Sequence, residues 1–321
     1  MMRFLASRLL QALLVLAAMS VLVTVLIGLM PGDPVDLMIA SDPHLTAADA
    51  IRLRAVYGLD QPLHERYLHW LASALSGDFG HSRLFARPVT AVLGPRLVNT
   101  ASLMATAFVA AVAIALPAGV YAARRPRSTA DAAINLLCFA GISVPPFWLA
   151  LLLILTFAVE LGWLPASGMA PADTADRALR LAHFVLPVAT LTLASVGGYT
   201  RYVRAAMLAE LRQDYIRTAR AKGLGESQVV WRHALRNAMV PIVTIVALEF
   251  GGLLSGALVT ETMFAWPGMG KLIYDSIMGN DYNVALVALL LATAMTLAGN
   301  LLADIAYVAF DPRITFRGGG P

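Results

Sequence analysis

Six stretches of the chain carry almost nothing but apolar residues, with polar, basic or Gly/Pro-rich segments between them. Residues 9–30, 97–122 and 132–159 contain no charged side chain; 184–200 is shorter but equally uncharged. Residues 238–260 contain only Glu249, and 284–303 is clean. A helix needs about 20 apolar residues to cross roughly 30 Å of hydrocarbon. The pattern therefore predicts an all-α integral membrane protein with six transmembrane helices, of which 184–200 is the shortest.

The intervening segments differ in kind. Residues 31–96 read as a small extracytoplasmic helical insertion between helices 1 and 2. Thr46 opens a predicted helix over 46–57 as its N-cap. A second helix is predicted over 62–75, with Tyr67, Leu68, Trp70 and Leu71 on an apolar face; Gly77, Gly80 and Pro88 break the rest into loops. Within the third span, Pro145 and Pro146 remove two backbone donors and predict a kink or an unwound turn. Backbone freed at membrane depth must be buried in protein or face a cavity. Residues 162–183 form an outer loop, and 262–283 is too polar to cross, so it is expected to fold back as a short external helix. The linear division is an N-terminal anchor helix at 1–30, the subdomain at 31–96, a membrane core at 97–310 with a cytoplasmic loop at 203–236, and a cytoplasmic tail at 311–321.

Composition agrees with the pattern. The 321 residues are 59% hydrophobic and 14% charged, with mean hydropathy +0.70, whereas soluble domains carry roughly 25% charged residues. The first apolar run is too long for a cleaved signal, whose apolar region is roughly 7–15 residues, and reads as a retained anchor. Cys138 is the single cysteine and lies within a span, which excludes a disulfide framework. A net charge of +4 does not by itself point to nucleic acid, because the cations are distributed by topology. With the N-terminus inside, 15 of the 24 Lys and Arg are cytoplasmic, and the short external loops hold only Arg177, Arg180 and Lys271. Both termini are then cytoplasmic.

Motifs for chemistry fail on spacing. His64 and His69 flank Glu65 in a zinc-protease-like string, but five residues separate them where the metal requires four. Gly268-Met269-Gly270-Lys271 resembles the end of a phosphate loop, yet Ala265 and Leu272 stand where Gly and Ser or Thr are needed. No catalytic residue, metal site or cofactor is expected.

The basic stretch from Asp214 to Pro241 is more informative. It holds Arg217, Arg220, Lys222, Arg232, His233 and Arg236, with Arg204 and Arg212 on its flank. Helix-forming residues run from 212 to 224 until Gly223 and Gly225, a natural C-terminal stop. A second helix can begin near Glu226 or Ser227 and continue through Trp231 to Asn237. Helix, glycine, helix is a shape that fits a partner's groove. The same charge also suits an ordinary inner loop resting on anionic membrane lipid.

Tyr215-Ile216-Arg217-Thr218-Ala219-Arg220-Ala221-Lys222-Gly223-Leu224, followed by His233-Ala234-Leu235-Arg236-Asn237-Ala238-Met239-Val240-Pro241, resembles the coupling loop of inner-membrane permeases of binding-protein-dependent ABC importers. The nearest group is the dipeptide/oligopeptide/nickel permeases, and within it the first permease of the pair. Leu29-Met30-Pro31-Gly32-Asp33-Pro34, Gly77-Asp78-Phe79-Gly80, Ser143-Val144-Pro145-Pro146-Phe147, Gly162-Trp163-Leu164-Pro165, Thr260-Glu261-Thr262-Met263-Phe264 and Asp311-Pro312-Arg313-Ile314 are similar to that group too. Arg217-Thr218-Ala219 stands where the wider superfamily has Glu-Ala-Ala, which is usual for the peptide subgroup. Glu249 departs from the neutral amide more often found there.

The resemblance implies a permease core of membrane helices, a second homologous permease as a heterodimeric partner, two ATP-binding subunits under the coupling loops, and a periplasmic or lipid-anchored substrate-binding protein. Transport would proceed by alternating access, with ATP hydrolysed on the partner chains. The coupling residues would be Tyr215, Arg217, Thr218, Ala219, Arg220, Ala221, Lys222, Gly223, Leu224, His233, Arg236 and Asn237. Pro145, Pro146, Glu249 and Ser255 are candidates for the substrate path, and Asp304, with Arg313 or a coupling-loop Arg, for a structural ion pair. The expected cargo is a di- or oligopeptide. A nickel chelate, glutathione or another small solute is the alternative within the class, and an ion-gradient-driven secondary transporter the alternative outside it.

Overall fold

The computed structural model describes residues 2–30, 35, 39, 46–56, 59–171, 174, 176–239, 241–243 and 257–310. Glu249, Ser255, Arg313, most of the predicted fifth span and the tail at 311–321 lie outside the described residues. Among the described residues all regular elements are helical, and the only strand-like feature is an antiparallel bridge between His81 and Pro88.

Helix α1 spans Met2–Gly28, α2 Ala47–Val56, α3 Leu63–Leu75 and α4 Val89–Arg124. Then come α5 (Thr129–Ser143), α6 (Pro146–Leu153, continued as a π-helical turn over Ile154–Glu160) and α7 (Arg177–Leu211). They are followed by α8 (Asp214–Ala221), α9 (Glu226–Gln228, continued as a π turn over Val229–Ala234), α10 (Leu258–Met263), α11 (Met269–Met278) and α12 (Tyr282–Phe310). Among the described residues four helices, α1, α4, α7 and α12, are individually long and apolar enough to cross a membrane, and α5 with α6 makes a fifth if the bent pair is one span.

Two spans are longer than their apolar runs. Helix α4 has 36 residues, about 54 Å at 1.5 Å per residue, so it extends well past a hydrocarbon core. The shortest predicted span, 184–200, is the middle of the 35-residue α7. That helix starts at Arg177 because Asp176 accepts hydrogen bonds from the amides of Ala178 and Leu179, 2.9 and 3.2 Å. Residues 177–183 of the predicted outer loop are thus helical. Within α3, Leu68 is 57% exposed and falls off the apolar face expected for it, while Tyr67, Trp70 and Leu71 are half-buried.

The Pro145-Pro146 pair does more than kink the third span: α5 and α6 meet at 100°. Val144, preceding a proline, is extended (φ −83°, ψ 122°). Pro145 is extended as well, and Pro146 sits at the first position of α6, where a missing N–H costs nothing.

The chain divides into two compact units that join segments distant in sequence. The first comprises residues 1–98 and 268–295. Its core sets Val89, Val92 and Leu93 of α4 against Met269 and Leu272 of α11 and Val284, Val287 and Ala288 of α12. Val23 and Ile27 of α1 pack on Ala285 and Leu286. The loop over 80–88 is pinned by Asp281, which accepts from Ser82 Oγ at 2.5 Å and from the Leu84 amide at 3.0 Å. Asn283 donates to the His81 carbonyl at 3.1 Å, and Arg83 donates to the Gly279 carbonyl.

The second unit comprises residues 99–267 and 296–321. Helices approach through glycine, as membrane helices do where backbones come close. A Cβ on Gly119 would lie 2.7 Å from Val203, and one on Gly197 only 2.6 Å from the Cys138 carbonyl oxygen. Ala150 of α6, Leu186 of α7 and Phe264 form a further core. Beside it Trp266 is fully buried, with its ring edge-on to Phe184 at 4.7 Å.

Candidate functional site

The basic stretch lies on the second unit as two short helical pieces seated on the ends of α4 and α7. In α8 the buried residues are Ile216 and Ala219, three apart, and they join Val120 and Ala123 of α4 and Val203 and Met207 of α7. Val229, Val230 and Ala234 of the following π turn complete the same core. Burying a small apolar stripe leaves the rest of the short helix outside. Arg217, Thr218, Arg220, Ala221 and Lys222 are exposed, as are Arg236 and Asn237, while Leu224 and His233 are half-buried.

Gly223 terminates α8 as expected, by a defined motif. Its φ is +78°, the left-handed region in which a side chain is strained. The Gly223 amide donates to the Arg220 carbonyl at 2.9 Å and the Leu224 amide to the Ala219 carbonyl at 3.3 Å. That paired arrangement is a Schellman cap, with Leu224 packing down on the core as its hydrophobic contact. The second piece begins at Glu226, as expected, but runs through a π turn before resuming as an α-helix over 235–239.

Polar contacts hold the turn. Arg220 donates twice to Glu226 across it, at 3.0 and 2.7 Å, and that guanidinium holds the Glu226 carboxyl below its ordinary range. Arg217 pairs with Asp214 at 3.2 Å. Tyr215 donates to Glu210 at the end of α7, 2.5 Å, and hydrogen-bonds Asn237. Burial first, then the Glu210 carboxylate, pushes the Tyr215 hydroxyl up. Arg212, Lys222, Arg232 and Arg236 make no ion pair among the described residues, so the surface presents unpaired positive charge on a buried, capped seat.

The remaining sequence candidates are dispersed. Pro145 and Pro146 are exposed at the α5–α6 break. Asp304 is half-buried on α12, and its proposed partner Arg313 lies outside the described residues.

Three features escaped the sequence reading. The first is a bidentate pair between Asp131 and Arg204, 2.6 and 2.7 Å. Asp131 also accepts from the Arg127 amide at 2.9 Å and from Asn135 at 2.8 Å. Its signal was Ser128, three residues earlier, which caps α5 by accepting from the Asp131 amide. The second is a cleft of about 630 Å³ between α5 and α7, whose wall includes Ser195, Tyr199, Arg201 and Tyr202. The spacing 195, 199, 202 is that of one helix face. The third is Glu261, fully buried and accepting from Thr100 at 2.6 Å; in the sequence it was only one letter of a motif.

Residues 115–316 match the family described as binding-protein-dependent transport system inner membrane component, and residues 1–106 match its N-terminal membrane component. The oligopeptide transport system permease protein AppB of Bacillus subtilis (strain 168) is 39% identical over 318 residues, 98% of this chain and 100% of that protein. The glutathione transport system permease protein GsiC of Escherichia coli (strain K12) is 38% identical over 317 residues, 99% and 100% respectively. Among solved structures, a chain of the inward-facing MetNI methionine ABC transporter aligns with TM-score 0.55 at 20% identity, covering 69% of this chain and 97% of that one. An amino acid ABC transporter crystallised with histidines gives 0.54 at 15% identity, over 68% and 94%. At those identities the structural likeness speaks to the fold alone.

Proposed function

The chain belongs to the family of binding-protein-dependent transport system inner membrane components, and on that premise we propose that it couples ATP hydrolysis on partner subunits to the import of peptides. The observation that carries the reading is the seat of α8. Ile216 and Ala219 are locked into the ends of two long helices, while Arg217, Lys222 and Arg236 face outward. A short helix held this way transmits displacement to α4 and α7 instead of absorbing it. This supports docking over a loop merely resting on lipid, since lipid attraction needs charge and no capped, buried seat.

In this reading the α8 surface and the segment through Asn237 receive an ATP-binding subunit on the cytoplasmic side, with both termini on that side. A second, homologous permease forms the other half of the path, two ATP-binding subunits complete the motor, and a substrate-binding protein delivers cargo outside. The substrate path is assigned to the break at Pro145-Pro146 and, from sequence, to Glu249 and Ser255. Relatives named for oligopeptides and for glutathione match almost equally. Peptides are therefore the first cargo class and glutathione, itself peptide-like, the second.

The test is affinity purification of the membrane complex with Arg217→Glu and Lys222→Glu combined. Loss of the ATP-binding subunits with the second permease retained is expected. Undiminished recovery of both would remove α8 as the docking element. Uptake of labelled peptides and of glutathione by reconstituted importer decides the cargo.

A further inference from the structure

The first compact unit contains a cavity of about 380 Å³, within the range of small-molecule sites. It lies among the end of α1, helix α3 and the start of α12, remote in sequence from the coupling residues. Arg66 contributes a guanidinium and Asp78 a carboxylate, and Tyr67, Trp70 and Tyr282 supply three aromatic rings. Tyr67 and Trp70 are stacked with centroids 6.3 Å apart.

Two of these groups lack partners. Arg66 is half-buried, and its guanidinium makes neither a hydrogen bond nor an ion pair among the described residues. Trp70 Nε1 is buried with no acceptor among them. A partly desolvated cation without a counter-charge is costly, and a carboxylate arriving in bidentate geometry relieves that cost. Asp78 is held by the turn it makes. One of its oxygens accepts from the Gly80 amide at 2.9 Å, and Gly80 sits at φ +80°. Its other oxygen is open to a donor.

We propose that this cavity binds a small zwitterion, its carboxylate on Arg66 and its ammonium on Asp78, with the aromatic rings packing on the body between. Since the ligand class is that of a short peptide, the proposal rests on the peptide-importer reading. It adds a cargo-sized site on the permease itself, apart from the substrate-binding protein.

The experiment uses the assembled importer without its substrate-binding protein and measures equilibrium binding of tritiated trialanine. Saturable binding is expected, weakened at least tenfold by Arg66→Gln and by amidation of the peptide C-terminus. Asp78→Asn and N-acetylation of the peptide should each weaken it as well. The peptide modifications read the charge requirement of the ligand, and recovery of the partner subunits with each variant shows that it assembles. Binding that does not saturate, or that keeps its affinity in both Arg66→Gln and Asp78→Asn, overturns the proposal, whatever the peptide modifications do. Uptake with the binding protein restored is scored separately. If trialanine binds but no peptide is transported, the cargo reading fails and the cavity stands; transport without binding gives the reverse.

Discussion

Arg204 of α7 grips Asp131 of α5 through two hydrogen bonds, 2.6 and 2.7 Å, with the carboxylate side chain only 5% exposed. The same carboxylate collects the Arg127 amide and the Asn135 side chain, so one residue ties a turn, a helix start and a second helix together. Replacing Asp131 with Ala strands the guanidinium. Losing one partner of a buried pair costs ~3–5 kcal/mol. Because Arg204 is itself a quarter exposed, about 2–3 kcal/mol is expected here. Thermal unfolding of the purified complex should show a clear drop. Arg204→Lys should recover little, because a lysine cannot supply two parallel donors.

Gly197 and Gly198 are adjacent on α7 and should answer an alanine scan in opposite ways. A Cβ at 197 would sit 2.6 Å from the Cys138 carbonyl, whereas one at 198 meets nothing within 4 Å. Gly197→Ala forces α5 and α7 apart and should lower the unfolding temperature. Gly198→Ala should be neutral or stabilising by up to ~1 kcal/mol through helix propensity.

At the end of α8, Gly223→Ala has room but the wrong backbone. The position lies at φ +78° with open space around its Cβ, so the whole cost is conformational, ~1–2 kcal/mol. Gly223→Asn should lose less, since Asn tolerates that region. Reconstituted uptake should follow the order Gly, Asn, Ala. Equal activity of all three would mean that the cap is not needed for coupling.

The Arg220–Glu226 pair predicts a pH effect of known sign. The folded-state carboxyl is depressed by the Arg220 hydrogen bonds. Its contribution is therefore complete above the ordinary carboxylate pKa and disappears as pH falls through the lower, folded value. Both side chains are about half exposed, which limits the pair to ~0.2–1 kcal/mol. Hydrogen exchange of amides 222–228, compared at equal pH, should be faster in Glu226→Gln than in wild type near neutrality. The two should converge in acid.

Much of this could be read along the chain because it depends on local rules. The apolar runs mark membrane helices because each must satisfy its own backbone in lipid. Thr46, Gly223 and the Pro145-Pro146 pair act on neighbours a few residues away, and each produces the boundary expected of it. Leu68 lies off the apolar face that the sequence predicts for α3, and α7 begins seven residues before its apolar run because a polar first turn hides the helix from a hydropathy count.

The sequence by itself determined the membrane class, the family and the basic helix-glycine-helix stretch, all carried by composition and contiguous motifs. Only the tertiary structure decided which of those basic residues face outward, since that depends on Ile216 and Ala219 finding α4 and α7. It also paired Asp131 with Arg204 across 73 residues and Ser82 with Asp281 across 199, and gathered Arg66, Trp70 and Asp78 around one cavity with Tyr282. Side chains brought together by packing leave no periodicity or spacing in the chain, because their distance in sequence is set by the loops and helices between them, not by the contact they make.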